Sequence, residues 1–111
     1  MSTHKNSSPS DVYEIVIGAL DRSFSKAEEL GDAISYKMDN KDRIVVYTHE
    51  NKVILRCISD KDCSLLVQMV IDSEGVSKKE IFFGGRKYGN FIENFANYIN
   101  TEIHEKAKNP H

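Results

Sequence analysis

The chain has no tryptophan, two prolines, two cysteines and no apolar run near the length of a membrane span in its 111 residues. Each scarcity narrows the reading. The cysteines, Cys57 and Cys63, are not spaced as CxxC and have no second pair, which excludes a four-thiolate zinc site and a disulfide framework. They are expected to be structural thiols, and neither a metal nor a cofactor is expected. A helical span would need about 20 apolar residues in sequence. Met1–Pro9 offers no apolar core for a signal peptide, so the expected location is cytoplasmic. Charge of one sign is also lacking: 15 basic against 17 acidic residues leave a net charge of −2 and a pI near 6.1. A dedicated double-stranded DNA binder would carry a basic excess to neutralise phosphates.

What is present is β-forming sequence. Ala33–Met38, Arg43–His49, Lys52–Ser59, Ser64–Ile71 and Lys79–Gly84 are rich in Val, Ile, Leu, Tyr or Phe, and polar residues or glycine bound them. Their connectors suit hairpins and are too short for helical crossovers, so the strands should follow one another as an antiparallel meander. Ala33–Met38 also reads as a continuation of the preceding helix, which would leave four strands rather than five.

A helix is predicted on each side of the sheet segment. The first starts at Asp11, with Glu14 at capping-box spacing. It carries Tyr13, Val16, Leu20, Phe24 and Ala27 at steps of three or four, and Gly31 stands where a helix C′ residue would be. Ser25 and Glu28 form a second capping-box match, so this helix is expected to run unbroken or to restart after Arg22. The second starts at Asn90 and carries Ile92, Phe95, Ile99 and Ile103 on one stripe. The expected fold is a single α+β domain over residues 10–107: an N-terminal helix, a four- to five-stranded antiparallel meander and a C-terminal helix. Residues 1–9 are expected to form a flexible tail and 108–111 a frayed end. This order of elements and this size resemble those of frataxins. The resemblance is one of architecture: the chain lacks Trp, and Asp11, Glu14, Asp21, Glu28 and Glu29 spread around the first helix instead of forming an acidic ridge.

Groups for catalysis are few. His49 beside Glu50 is the one acid–base candidate outside the termini and the second helix, and a surface histidine at a turn explains it as well. Cys63 has no neighbour in sequence that would lower its pKa, and Ser64 sits in no nucleophile elbow. The expectation is therefore no enzyme. The loop Gly84-Gly85-Arg86-Lys87-Tyr88-Gly89 joins glycines, two cations and a helix start, which makes Gly85, Arg86 and Lys87 candidate anion ligands. The alternative is a strand-to-helix turn that needs its glycines for backbone shape.

Alternation of side chains gives the sheet two faces. One collects Ile34, Tyr36, Met38, Ile44, Val46, Val53, Leu55, Cys57, Leu65, Val67, Met69, Ile71, Ile81 and Phe83, and two amphipathic helices would cover it. The other mixes Val45, Tyr47, Ile54, Arg56, Ile58, Leu66, Gln68, Val70 and Phe82. It is either buried by a helix or open as a docking surface for a partner or a second copy of the chain, with Tyr47, Arg56, Gln68 and Phe82 as contact residues. The favoured function is a non-enzymatic protein-binding module, concretely a small bacterial immunity protein that neutralises a toxin such as a basic nuclease. The acidic turns would then supply complementary charge. A single-stranded nucleic-acid binder, stacking bases on Tyr47 and Phe82, is the alternative. A secretion chaperone would use the same physics.

Overall fold

The computed structural model describes residues 9–108. Helix α1 (Pro9–Ser23) leads into strands β1 (Ser25–Leu30), β2 (Ala33–Lys37), β3 (Arg43–His49), β4 (Lys52–Ile58), β5 (Leu65–Asp72) and β6 (Gly75–Ile81). A short 3-10 turn (Arg86–Tyr88) then precedes helix α2 (Gly89–Lys108). The strands form one antiparallel sheet in the order β1-β2-β3-β4-β5-β6, so the expected meander and the α+β class are found with six strands, not four or five. Except for Pro9, the expected tail lies outside the described residues, as do residues 109–111.

Three differences from expectation have local causes. The first helix stops at Ser23, after the Phe24 N–H donates to the Leu20 carbonyl at 2.8 Å. Ser25–Leu30 then turns back along β2 as an edge strand, so Ser25 begins no helix, and Gly31 (φ 56°) shapes the β1–β2 turn instead of capping a helix. The last strand starts at Gly75 and ends at Ile81, earlier than the expected Lys79–Gly84, because Ser73 and Glu74 alone make the turn before it. The second helix starts at Gly89, one residue before Asn90.

Both helices lie on the same side of the sheet. Val12, Val16, Ala19 and Leu20 of α1 share one core with Ile92, Phe95, Ala96, Ile99 and Ile103 of α2 and with the inward row of the strands, among them Tyr36, Ile44, Val46, Leu55, Cys57, Val67, Met69 and Ile71. Phe24 meets Phe91 edge-on at 5.7 Å, closing the seam between the helices. The Tyr36 hydroxyl, at the helix–sheet boundary, donates to Asp21 at 2.8 Å. Burial and that carboxylate together push the tyrosine's ionisation upward. Tyr36, Leu20, Ile44 and their fully buried neighbours are the main stabilising term, at about 1.5–3 kcal/mol for each large side chain removed from water.

Three members of the expected inner face are displaced from it. A bulge in β5 pairs Leu65 with Ile58 and leaves Leu66 as the extra residue, so Leu66 joins the core and Leu65 is half-buried. Ile81 faces Val67 at the sheet edge and is 44% exposed, and Phe83 is 100% exposed because the chain has left the sheet. Among the described residues, no helix is long and apolar enough to cross a membrane.

The exit from β6 is held against that bulge. Phe82 N–H donates to the Leu66 carbonyl at 2.9 Å, and Gly85 N–H to the Phe82 carbonyl at 2.9 Å. A Cβ on Gly85 would lie 2.1 Å from the Leu66 carbonyl oxygen, a backbone atom that cannot move aside, whereas one on Gly89 would meet nothing within 4 Å. Gly85→Ala is therefore expected to cost about 3 kcal/mol, in the upper range for steric insertion. Gly89→Ala, at a helical backbone angle, should raise stability by about 0.5 kcal/mol. Urea denaturation of the two variants checks both signs.

Candidate functional site

The face away from the helices carries no element of the described chain. Register places its residues in rows across the strands. Ser35, Val45, Arg56, Gln68 and Glu80 form one, and Tyr47, Ile54, Val70 and Lys78 form the next. Val45, Tyr47, Arg56, Ile58, Gln68 and Val70 are all half-buried, while Ile54 is held to 9% exposure beneath its cross-strand neighbours. This is the expected mixed face, and among the described residues no helix covers it.

Its polar groups are ordered. Arg56 Nε donates to Gln68 Oε1 at 2.7 Å, and Gln68 Nε2 turns to Glu80 Oε1 at 3.4 Å. The Arg56 guanidinium carbon lies 5.6 Å from the Tyr47 ring centroid, within cation–π range. Three of the four expected contact residues, Tyr47, Arg56 and Gln68, are thus brought together. Phe82 stands apart at the β6 end of the face, 37% exposed, next to the wholly exposed Phe83. Alternation carried past the end of β6 assigns Phe83 to the core, whereas the structure exposes it. The glycines at 84 and 85 were the signal that the strand had already ended.

The loop of candidate anion ligands is bound into the fold. Lys87 Nζ lies 3.2 Å from Asp42 Oδ2, which also accepts the Tyr88 hydroxyl, while Asp42 Oδ1 accepts the Asp60 N–H at 2.9 Å. Asn40 Nδ2 donates to the Tyr88 oxygen at 2.8 Å. Asp42 is 5% exposed. Burial alone would raise its carboxyl pKa, but the Tyr88 and Asp60 hydrogen bonds and the Lys87 charge outweigh burial and hold it below the usual value. Tyr88 is pushed up to about 12, by burial first and by the Asp42 hydrogen bond second. One carboxylate therefore ties together the β2–β3 turn, the β4–β5 turn and the start of α2. Gly85 serves backbone approach and Lys87 serves this tie, while Arg86 is exposed.

Turns alternate between the two ends of a meander, and this separates charge. The turns after β1, β3 and β5 bring Asp32, Glu50 and Glu74 to one end. At the other end Asp39, Asp60 and Asp62 are mixed with Lys41, Lys61 and Arg86. On the helix side of the acidic end, Tyr13, Glu29, Asp32, Ile34, His49 and Glu50 line an open groove of about 580 Å³. His49 Nε2 is 3.6 Å from Glu50 Oε1, and both side chains are mostly exposed. The pair lies in the wall of this open groove. Among the described residues, no three His, Cys, Asp or Glu side chains converge to hold a metal ion. Compared with models of protein families, with curated proteins and with solved structures, the chain matches none.

The depressed Asp42 carboxyl contributes stability that is present above its unfolded pKa of about 3.9 and is lost as pH falls through the lower folded value. Tyr88, raised to about 12, contributes stability that is present below pH 10 and lost as pH climbs toward 12. Asp42→Asn should cost about 2 kcal/mol at pH 7. That deficit should shrink as acid protonates the wild-type carboxyl, which denaturation series at pH 7 and pH 3 would measure.

The cysteines should also part by reactivity. Cys63 is exposed and free, whereas Cys57 is buried and its thiol is pushed up to about 12 by burial. Iodoacetamide at pH 8 is expected to alkylate Cys63 in the folded protein and to reach Cys57 only after unfolding, as peptide mass spectrometry would show.

Proposed function

We propose that this chain is a non-enzymatic protein-binding module that docks its partner on the open sheet face. The observation that carries the reading is the placement of both amphipathic helices on one side. This leaves Val45, Tyr47, Arg56, Val70 and Phe82 with no covering element of the described chain on the other. A face meant only for water would present Thr, Lys and Glu at these positions. Phe82 and Phe83 extend the apolar area beyond the sheet, and the Tyr47–Arg56 pair supplies the residue types enriched in binding hot spots.

In its finer form, the proposed role is that of a cytoplasmic inhibitor of the immunity-protein type, neutralising a basic toxin such as a nuclease. The turns carrying Asp32, Glu50 and Glu74 gather negative charge at one end of the sheet, which would steer a basic partner toward that end of the molecule. Steering acts on the association rate, and the face itself supplies the lifetime of the complex.

The test is isolation of the partner from the native cell followed by binding measurements with variants. Tyr47→Ala and Phe83→Ser should each weaken binding by about 1–3 kcal/mol. Phe83→Ser should leave the unfolding midpoint unchanged, since that side chain is wholly exposed. Added salt should slow association more than it speeds dissociation. A stable double variant that binds its partner as well as the wild type would refute the docking reading. A purified partner that is single-stranded RNA, bound with a steep dependence on salt, would replace it.

A further inference from the structure

We propose that Arg56 is the specificity anchor of the open face, and that the docked segment presents to it an aspartate or glutamate carboxylate set among apolar side chains. The proposal rests on reading that face as a protein-docking surface and says what the partner must carry.

Outward Lys37 and Lys52 are exposed at the strand ends, and ion pairs take up two further cations of the face. Arg43 Nη1 meets Glu28 Oε1 at 3.4 Å near the β1 side, and Lys78 Nζ meets Glu80 Oε1 at 3.7 Å near the β6 side. Arg56, on the central strand β4, pairs with no carboxylate among the described residues. A half-buried guanidinium without a counter-charge loses part of its hydration and gains no ion pair in return. It is nevertheless held in place. Gln68 accepts from its Nε, Glu80 fixes the amide of Gln68 from behind, and the Tyr47 ring lies against the guanidinium.

These contacts engage Nε and set the Tyr47 ring 5.6 Å from the guanidinium carbon. The terminal nitrogens keep their N–H donors in the fork geometry that receives both oxygens of a carboxylate. Ordering is already complete before binding, so a docked carboxylate would not have to immobilise a long side chain. Along β4, Ile54 and Ile58 flank Arg56 at two residues on either side, and Val45 stands directly across from it. An incoming acidic residue with apolar neighbours would match this frame. A nucleic-acid backbone fits less well, because Glu28 and Glu80 share the face with its cations and Glu80 stands close behind Gln68 and Arg56.

The experiment uses the full chain and displayed random 12-residue peptides as the probe. Peptides selected on the wild type should share an acidic residue flanked by apolar ones, and amide shifts in ¹⁵N NMR should map them to β3, β4 and β5. Replacing that Glu or Asp by Gln or Asn in a synthetic peptide should lower affinity at least tenfold. Arg56→Gln should do the same to the unmodified peptide, with Arg56→Lys in between because it keeps charge and loses the fork. A Lys-substituted peptide should bind Arg56→Glu better than it binds wild type. The peptide arm stays decisive even where an Arg56 variant folds poorly.

Peptides that map to the face but are indifferent to both the acid and Arg56 would overturn the anchor and leave the docking reading standing. Failure to select any peptide, or shifts confined to another surface, would overturn both. Preferential binding of a single-stranded RNA 12-mer through Arg56 would also overturn the proposal.

Discussion

The structure depends on both helices burying their apolar stripes against the same side of one sheet. Each helix has a single stripe, and the seam between them is closed by Phe24 on Phe91, which is itself stacked on Phe95 of the same helix at 5.6 Å. Once the stripes are used there is no third amphipathic element in the described chain to cover the opposite face. The sheet must then meet solvent or a partner with whatever the outward residues of its strands supply. Those residues are neither a solvated set nor a core. They are half-buried apolar side chains around an ordered arginine, and the functional reading follows from that intermediate character.

Electrostatics divide the work between the ends of the meander. At one end a nearly buried carboxylate, Asp42, gathers Tyr88, Lys87 and the Asp60 N–H, so charges of both signs are spent on holding loops together. At the other end the turns carry exposed acids whose ion-pair partners are few. The first arrangement fixes where α2 starts, and therefore how its stripe meets the sheet. The second shapes the field around the molecule and contributes little to folding, because exposed pairs are worth at most about 1 kcal/mol.

Much of this was legible in the sequence wherever side-chain period decides the structure. Strands β2 to β5 were readable because alternation and turn residues agree. Glu50 and Asn51, both at positive φ, make the two-residue turn that the pattern implied between β3 and β4. The two faces were readable for the same reason, except where a bulge breaks the period, as at Leu66. Strand β1 was not readable. Ser-Lys-Ala-Glu-Glu-Leu has no alternation and good helix formers, and it becomes a strand because β2 offers an open edge to pair with. The coupling of Gln68 to Arg56 was half visible: both residues could be placed on one face, but only the β4–β5 register sets them side by side.

The sheet edges supply the last step. An edge strand with free backbone groups invites pairing with other chains, and proteins guard such edges with bulges and charge. Here β1 is bulged at Ala27 and carries Lys26, Glu28 and Glu29, while β6 is bulged at Ser77 and carries Lys78, Lys79 and Glu80. Lys79 is further engaged by Glu93 of α2 at 2.9 Å. Protection ends at Ile81. There the chain leaves the sheet, and Phe82 and Phe83 follow unguarded, directly beyond a strand whose outer positions are all polar or charged. Edges defended over their length and aromatics left exposed at one exit point away from strand addition. The proposed docking would then run across the sheet face, with the Phe82–Phe83 corner as its continuation and Arg56 near its centre.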